Sequence, residues 1–239
     1  MEKNPETVDI LAFGAHPDDV EIGAGGLIAK ETSLGYKVGI IDLTMGEMGS
    51  RGTPEIRAEE AETASRILGA EWRMNLKMPD GGITADNENI MKVTRVIRTY
   101  RPKILLAPYW DDRHPDHIRT GQIVTEAHFK AGLRKLEPEL KAFRPSIIIY
   151  YFLNRIESLS FVVDVSLHYE KKREAIGAHY SQFGEGGLKP LAVLGVKAPL
   201  QFIESRDRFY GAQIGVAYGE AFLVRTPVPL DDPMKTWGI

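Results

Sequence analysis

Two short clusters of histidine and aspartate are the residues in this sequence best suited to chemistry. The first holds His16, Asp18 and Asp19, directly after the apolar run Ile10–Phe13 and at the start of a helical pattern. Because His16 and Asp19 are three residues apart, a tight turn can direct both at one point, and their nitrogen and oxygen atoms suit Zn²⁺. Asp18 cannot share that direction and is left free for proton transfer. Taken alone, the cluster fits equally well a helix capped by Asp, with His16 merely packed.

The second cluster is Asp111-Asp112-Arg113-His114-Pro115-Asp116-His117, far along the chain. It follows another apolar run, Ile104–Pro108, and it also opens a helical pattern. A single histidine-rich turn usually lies on the protein surface and has no functional role. Two clusters of matching form, each at the end of a predicted strand, indicate a site.

Composition excludes several classes of function. The net charge is −3, with 30 basic and 33 acidic residues, so no electrostatic footprint for a nucleic acid or a membrane surface is present. The chain has no cysteine, which excludes disulfides, thiolate ligands and a cysteine nucleophile, so any metal must bind to nitrogen and oxygen. The polar N-terminal stretch has no signal-peptide pattern, and no apolar run approaches the ~20 residues of a spanning helix. We therefore expect a cytoplasmic protein without membrane or nucleic-acid partners.

Strand and helix patterns alternate along the chain. This alternation predicts an α/β fold, a Rossmann-like three-layer α/β/α sandwich with a mainly parallel sheet, formed by a single domain over residues 1–239. The predicted strands are 8–13, 38–44, 72–76, 103–107, 146–153 and 161–165. The predicted helices are 20–34, 54–68, 89–100, 114–136, 167–178 and 201–214, with a Gly/Pro-rich loop at 183–199.

This architecture would bring the two clusters together. In a doubly wound sheet of order 3-2-1-4-5, the first and fourth strands are neighbours, and ligands bind beyond their carboxyl ends, where the strand order reverses. The clusters follow these two strands. We therefore predict that His16 and His117 face each other across one crevice.

A dinucleotide-binding fold is the main structural rival. Gly14 ends the first strand, and Asp42 lies at the end of the second, where a ribose-binding acid would be. The glycine fingerprint would require glycine at positions 16 and 19, which hold His16 and Asp19, and a carboxylate there would oppose a pyrophosphate. The glycines at 23, 25 and 26 come too late, inside the helix, and indicate close packing on the sheet. No G-x-S-x-G elbow of a serine hydrolase occurs.

The clusters resemble the paired motifs of a known enzyme family. Ala15–Gly23 and His114–His117 are similar to those of the zinc-dependent LmbE/PIG-L-type N-acetylglucosaminyl deacetylases. Weaker similarities cover most of the chain. They are the Thr44–Gly49 loop, Arg57 with its acidic helix, Met78–Gly81 and Ala178–Gln182. Length and these features most resemble the bacillithiol-pathway branch, the N-acetylglucosaminyl-malate deacetylases.

The resemblance implies a role for each member of the clusters. His16, Asp19 and His117 would bind one Zn²⁺, or Fe²⁺, with water in the open position. Asp18 would be the general base, and His114 would steady the tetrahedral intermediate or protonate the leaving amine. The expected substrate is a small-molecule N-acetylglucosaminide, and the expected assembly is a homo-oligomer, a hexamer.

Asp116 is a further catalytic candidate. Standing two residues from His114, it could orient or charge an imidazole, or it could simply be an acidic residue at a helix N-terminus.

Candidate substrate contacts are Arg57, Glu47 and Arg113. Either arginine could bind an anionic aglycone such as a malate carboxylate, and either could instead form surface ion pairs. Glu47 could bond sugar hydroxyls. His179 and Gln182 could line the same cleft, or His179 could be packed within a helix. Other outcomes left open are deacetylation or amide cleavage of a chitooligosaccharide or thiol conjugate, and a non-catalytic sugar- or nucleotide-binding protein.

Overall fold

The computed structural model describes residues 7–154, 158–184, 199–229, 231–232 and 234. Seven strands are present in this part of the chain: Ile10–Gly14 (β1), Val38–Thr44 (β2), Trp72–Met78 (β3), Ile104–Pro108 (β4), Ile147–Tyr151 (β5), Phe161–Asp164 (β6) and Gly219–Leu223 (β7). The helices are Asp19–Ser33 (α1), Pro54–Leu68 (α2), Asn87–Tyr100 (α3), Pro115–Ala131 (α4), Tyr169–Ala178 (α5), Tyr180–Phe183 (α6) and Pro199–Gln213 (α7). A 3₁₀ turn at Ser166–His168 precedes α5. The predicted loop at 183–199 lies almost wholly outside the described residues.

The strands form one sheet in the order β3-β2-β1-β4-β5-β7-β6. Strands β1 to β5 are parallel to their neighbours, whereas β7 is antiparallel to both β5 and β6. The predicted order of the first five strands is therefore confirmed. β1 lies directly beside β4, so the two loops that carry the histidine clusters leave the same edge of the sheet.

Helices cover both faces of the sheet, which confirms the three-layer sandwich. Helices α3 and α4 pack together on one face, and α1, α2 and α5 pack together on the other. All five residues of β1 and all seven of β2 are buried, as expected for strands covered on both sides. The buried residues form two apolar clusters, one on each face.

Local signals set the ends of several helices. Thr53 caps α2 by accepting a hydrogen bond from the backbone N–H of Ile56, and Pro54 is the first helical residue. Gly69 ends the same helix with φ 78°, a left-handed conformation that glycine adopts without steric cost. Both assignments were predicted from the sequence.

Helix α4 ends earlier than predicted, at Ala131 instead of residue 136. The guanidinium of Arg98, from α3, donates hydrogen bonds to the carbonyls of Lys130, Ala131 and Leu133. These bonds satisfy the terminal carbonyls of α4 without a further helical turn.

Strand β7 was not predicted. Its second residue, Glu220, is 1% exposed although it is charged. Lys172 lies 2.7 Å from Glu220 Oε1, and the backbone N–H groups of Gly26 and Leu27 also donate to this carboxylate. Because Glu220 is charged, it interrupts the apolar pattern by which a buried strand is predicted from sequence.

Among the described residues, none of the helices combines the length and the apolar character that crossing a bilayer requires.

Candidate active site

The first cluster lies in the turn between β1 and α1. Both the backbone N–H and the hydroxyl of Thr44, at the end of β2, donate to the carbonyl of Ala15 at 2.9 Å. The N–H groups of Ala15 and His16 both donate to Oδ2 of Asp19, each at 2.9 Å. The neighbouring strand and the turn itself therefore fix the positions of His16 and Asp19.

The second cluster lies where β4 passes into α4. His114 is the N-cap of α4, and its Nδ1 accepts a hydrogen bond from the backbone N–H of Asp116. Pro115 is the first helical residue. His117 then lies in the first turn, with its Nε2 3.2 Å from Asp19 Oδ1. The structure thus brings the two clusters together, as the strand order required.

The side chains of His16, Asp19 and His117 offer three ligand atoms within 4.8 Å of one another. Two ligand atoms at tetrahedral positions ~2.0–2.2 Å from Zn²⁺ lie about 3.3 Å apart. Asp19 Oδ1 is 3.2 Å from His117 Nε2, and Asp19 Oδ2 is 3.5 Å from His16 Nδ1. The donor types of these three residues fit a single zinc ion, and the two spacings, each to a different oxygen of Asp19, are close to the tetrahedral value.

A carboxylate lies against the far nitrogen of each of these histidines. Asp112 Oδ1 is 3.0 Å from His117 Nδ1, and Asp80 Oδ1 is 3.0 Å from His16 Nε2. Such carboxylates hold a proton on the nitrogen they face and leave the lone pair of the other nitrogen free. When the two rings are neutral, as metal binding requires, the free lone pairs are on His117 Nε2 and His16 Nδ1, the two nitrogens that face Asp19.

The charges in this cluster are strongly coupled. Burial alone would lower the pKa of His117, but Asp19 and Asp112 raise it to about 9. Burial opposes the ionisation of Asp80, yet its hydrogen bond to His16 lowers its pKa to about 2. The carboxylates around the histidines are therefore ionised at neutral pH, and they create a site that attracts a cation.

Asp18 stands apart from the three candidate ligands. Its carboxylate Oδ2 lies 3.5 Å from Arg57 Nη2, and its side chain is 14% exposed. Burial raises the pKa of Asp18 to about 6, against the opposing charge of Arg57. A carboxylate whose pKa is raised towards neutrality, beside a candidate metal site but outside its set of candidate ligands, is suited to general-base catalysis.

His114 lies on the other side of the candidate ligands and is half-buried. Its ring stacks on that of His117, with centroids 4.7 Å apart. Since its Nδ1 accepts the N–H of Asp116, a proton on the neutral ring must be carried by Nε2. Burial and the charge of His117 lower the pKa of His114.

Asp116, expected either to orient an imidazole or to be an acidic residue at a helix N-terminus, has its carboxylate beside the ring of His16. Its carboxylate accepts the backbone N–H of Gly81 at 2.7 Å and lies 3.4 Å from His16 Nε2. Only its backbone N–H contacts the His114 ring. Since Asp116, His16 and His114 also offer ligand atoms within 4.8 Å, Asp116 belongs to the site, but its carboxylate is directed at His16.

The three candidate substrate contacts occupy different positions. Glu47 is exposed and accepts the backbone N–H of Asp80 at 2.8 Å, and Arg113 is exposed directly beside His114. Arg57 is buried, 4% exposed, and donates to the carbonyls of Gly46 and Pro17. A role in substrate binding stays a prediction for all three.

Comparisons with known proteins agree with this geometry. The family described as "PIG-L: GlcNAc-PI de-N-acetylase" matches residues 11–128, which include both clusters. Diacetylchitobiose deacetylase of Thermococcus kodakarensis is 32% identical over 191 residues, covering 74% of this chain and 70% of its own. The chain belongs to the PIG-L family. Membership of this deacetylase family confirms the resemblance found in the sequence.

Two further relatives of this PIG-L protein cover most of its length. A probable N-acetyl-α-D-glucosaminyl L-malate deacetylase of Bacillus anthracis is 28% identical over 191 residues, covering 73% of this chain and 81% of its own. The crystal structure of a conserved protein from Thermus thermophilus has a TM-score of 0.86 at 38% identity, covering 95% of this chain and 98% of its own. The fold and the sequence therefore point to the same family.

The structure also accounts for the residues that suggested a dinucleotide fold. In this PIG-L protein Asp42 is bound by Arg73, whose Nε and Nη2 donate to the two carboxylate oxygens at 2.7 and 2.8 Å. Arg73 also pairs with buried Glu21. A Cβ at Gly23 would lie 2.0 Å from the Tyr151 ring. Asp42 is thus engaged within the protein, and Gly23 serves close packing, as predicted.

His179 does not line the cleft. It is fully buried, with its Nε2 3.3 Å from Glu21 Oε1. Gln182 donates to the backbone carbonyl of Arg51 at 2.9 Å and so holds the loop that follows β2.

Two residues of the site were missed by the sequence reasoning. Asp80 and Asp112 were noted only as parts of longer motifs, without the contacts to His16 and His117. The available signal was their position, since each follows the carboxyl end of a strand, β3 and β4, at the edge where the clusters lie.

Proposed function

We propose that this protein is a zinc-dependent N-deacetylase that hydrolyses the acetamide of an N-acetylglucosamine derivative. The observation that carries the proposal is the convergence of His16, Asp19 and His117 beside Asp18, a carboxylate outside their cluster. Family membership supports the reaction class. The donor set supports zinc, and Fe²⁺ accepts the same ligands.

His16, Asp19 and His117 would hold the metal. A Zn²⁺ ion bound there would supply Lewis-acid polarisation of the acetamide carbonyl and a water whose pKa is lowered to about 7. Asp80 and Asp112 would keep the two imidazole rings in orientation through their far nitrogens.

Two residues would move the protons of the reaction. Asp18 accepts a proton from the attacking water as its oxygen adds to the acetamide carbon. His114, in its imidazolium form, donates a proton from Nε2 to the departing nitrogen as the carbon–nitrogen bond breaks, and the ring returns to its neutral form. The products are acetate and the free amine of the sugar.

The predicted substrate is N-acetylglucosaminyl-malate, as in bacillithiol biosynthesis, and an N-acetylated chitooligosaccharide is the alternative. Exposed Arg113 beside His114 supports an anionic aglycone, because a guanidinium can bind a carboxylate through two hydrogen bonds. Exposed Glu47 is available to bond sugar hydroxyls. We also propose that the protein is a homo-oligomer, a hexamer, which light scattering on the purified protein would test.

The decisive experiment measures amine release from a panel of N-acetylglucosaminides by purified protein whose metal content is known. The panel contains the malate conjugate, diacetylchitobiose, an inositol conjugate and free N-acetylglucosamine. Release of amine and acetate in equal amounts, abolished by a chelator and restored by Zn²⁺ or Fe²⁺, is the expected result. Hydrolysis that survives complete removal of metal would refute the metal-dependent mechanism.

The panel also decides the aglycone. Preference for the malate conjugate that is lost in Arg113→Met, with hydrolysis of diacetylchitobiose unchanged, is expected if Arg113 binds the carboxylates. Equal rates on all members would exclude a malate-specific enzyme. Stoichiometric binding of a sugar or nucleotide without hydrolysis of any member would favour the non-catalytic alternative.

A further inference from the structure

Asp18 has an unusual backbone conformation. Its φ is 123° and its ψ is −25°. Three other non-glycine residues of the described chain have positive φ, between 42° and 53°, close to the φ values of the left-handed helical region. Asp18 lies well outside that region. Such strain persists only where the surrounding structure holds the residue in place, and it is frequent at functional sites.

Arg57 makes the contacts that hold this conformation. It lies in the first turn of α2, and its side chain reaches back to the turn that follows β1. Its Nη2 donates to the carbonyl of Pro17 at 2.8 Å and lies 3.5 Å from Asp18 Oδ2. One guanidinium nitrogen therefore contacts the backbone immediately before Asp18 as well as the Asp18 carboxylate.

The other terminal nitrogen of Arg57 is used within the protein as well. Nη1 donates to the carbonyl of Gly46 at 3.0 Å, in the loop after β2. The guanidinium is thus bonded to two loops, and the residue is 4% exposed. A substrate carboxylate could bind to this guanidinium only by displacing its hydrogen bonds to the two backbone carbonyls.

The glycines of the loop after β2 make room for Arg57. A Cβ at Gly46 would lie 1.9 Å from Arg57 Nη1, and one at Gly49 would lie 3.1 Å from the same atom. At Gly52 a Cβ would lie 2.8 Å from Ser181 Oγ and 3.2 Å from Arg57 Cγ. These three glycines line a narrow channel that contains the Arg57 side chain. The space needed by this side chain explains why the loop is rich in glycine.

We propose that Arg57 is the positioning residue of the general base. It holds the Pro17–Asp18 backbone and the Asp18 carboxylate in their strained arrangement, and the glycine channel of Gly46, Gly49 and Gly52 sets its path. This inference rests on the proposed function, because that function makes Asp18 the base. It is an alternative to the prediction that Arg57 binds substrate.

The two roles predict different kinetics. Loss of a substrate contact weakens binding and raises KM, whereas loss of a positioning contact lowers kcat. A displacement of a catalytic group by ~1 Å can cost about 100-fold in rate. Lysine at position 57 would retain the positive charge but could not donate to both carbonyls and contact Asp18 in the same geometry.

The test compares Arg57→Lys and Arg57→Met with the wild-type protein in kcat, KM and bound metal per chain. We expect kcat to fall about 100-fold in both variants, with KM within about threefold and the metal stoichiometry unchanged. Arg66→Lys, an exposed arginine on the same helix, is the control and should leave both constants unchanged. Added guanidinium ion should partly restore kcat in Arg57→Ala.

A second variant tests the channel. Gly46→Ala should reproduce the fall in kcat, because its methyl group displaces the guanidinium. Gly215→Ala is the matched control, since Gly215 has φ 75° against 69° at Gly46 but nothing lies within 4 Å of its Cβ position. Equal activity of the two glycine variants would contradict the channel.

Other outcomes would overturn the proposal. A rise in KM at unchanged kcat in Arg57→Lys would indicate that Arg57 binds substrate. Loss of metal from the variant would indicate that Arg57 holds the metal ligands in position. A crystal structure of Arg57→Met gives a readout that needs no activity, because Asp18 should leave its strained conformation. An Asp18 that stays at φ near 120° would refute the positioning role even if the protein hydrolysed none of the proposed substrates.

Discussion

The Asp112 carboxylate lies 3.0 Å from Nδ1 of His117, while Nε2 of the same ring faces Asp19 at 3.2 Å. Asp112 is itself firmly held, since Asn154 donates to it from both its backbone N–H and its side chain, at 3.1 and 3.0 Å. The backbone N–H of His114 adds a further hydrogen bond to Oδ1 at 2.8 Å. One buried carboxylate therefore links the end of β5 to a candidate metal ligand on α4.

Replacing Asp112 by Asn should weaken metal binding by about 10- to 100-fold, because an amide oxygen accepts the Nδ1 proton but supplies no negative charge to the ring. Competition with a chelator of known affinity measures the effect. Asp9→Asn, at the opposite end of the sheet, is the control and should leave the metal dissociation constant unchanged. An unaltered affinity in Asp112→Asn would mean that the contact serves only packing.

His117→Ala should lose the metal, because two protein ligands remain and three are needed for a stable catalytic site. Metal analysis after gel filtration measures the loss, and circular dichroism checks that the variant is folded. Stoichiometric zinc retained by the variant would contradict the assignment of His117 as a ligand.

His114→Ala should keep the metal and lower kcat by about 10²–10⁴, the usual contribution of a general acid. The reason is that His114 Nε2 is proposed to donate the proton, whereas the three metal ligands are untouched. Kinetics and metal analysis of the same preparation separate the two effects. Parallel loss of zinc and activity would reassign His114 as a ligand.

Gly23→Ala should lower the free energy of unfolding by about 1–3 kcal/mol, because its methyl group would lie 2.0 Å from the Tyr151 ring in a core without free space. Gly177→Ala is the matched change, in an exposed helical position with nothing within 4 Å of its Cβ, and should stabilise by about 0.5–1 kcal/mol. Urea denaturation measures both. Similar stabilities for the two variants would show that the contact with Tyr151 relaxes at little cost.

Lys172→Met should destabilise the protein by about 3–5 kcal/mol, the usual effect of removing one partner from a buried ion pair. Lys172 is fully buried, and its Nζ lies 2.7 Å from both Asp207 and Glu220. The substitution leaves Glu220 without its cation and Asp207 with Arg206 as its remaining cation. Lys171→Met, at the exposed neighbouring position on α5, should change the denaturation midpoint little. Equal destabilisation by the two substitutions would exclude loss of the buried ion pair as the cause.

Much of the fold could be predicted because its signals are local. The alternation of apolar strands with amphipathic helices predicts the parallel order that places β1 beside β4. Thr53, Pro54 and Gly69 act through the backbone within a few residues and therefore mark the ends of α2 correctly. The convergence of His16 and His117 then follows from topology alone.

The sequence by itself thus determined the family, the parallel sheet and the edge at which the two clusters lie. Only the tertiary structure decided that Asp80 and Asp112 face His16 and His117, that Asp116 is directed at His16, and that Arg57 is turned inward towards Asp18. It also revealed β7, where Lys172 neutralises buried Glu220. The physical reason is that hydrophobic periodicity indicates only which residues are buried. The orientation of a buried charged side chain, and the residue it pairs with, depend on residues that are distant in sequence and come together only when the chain folds.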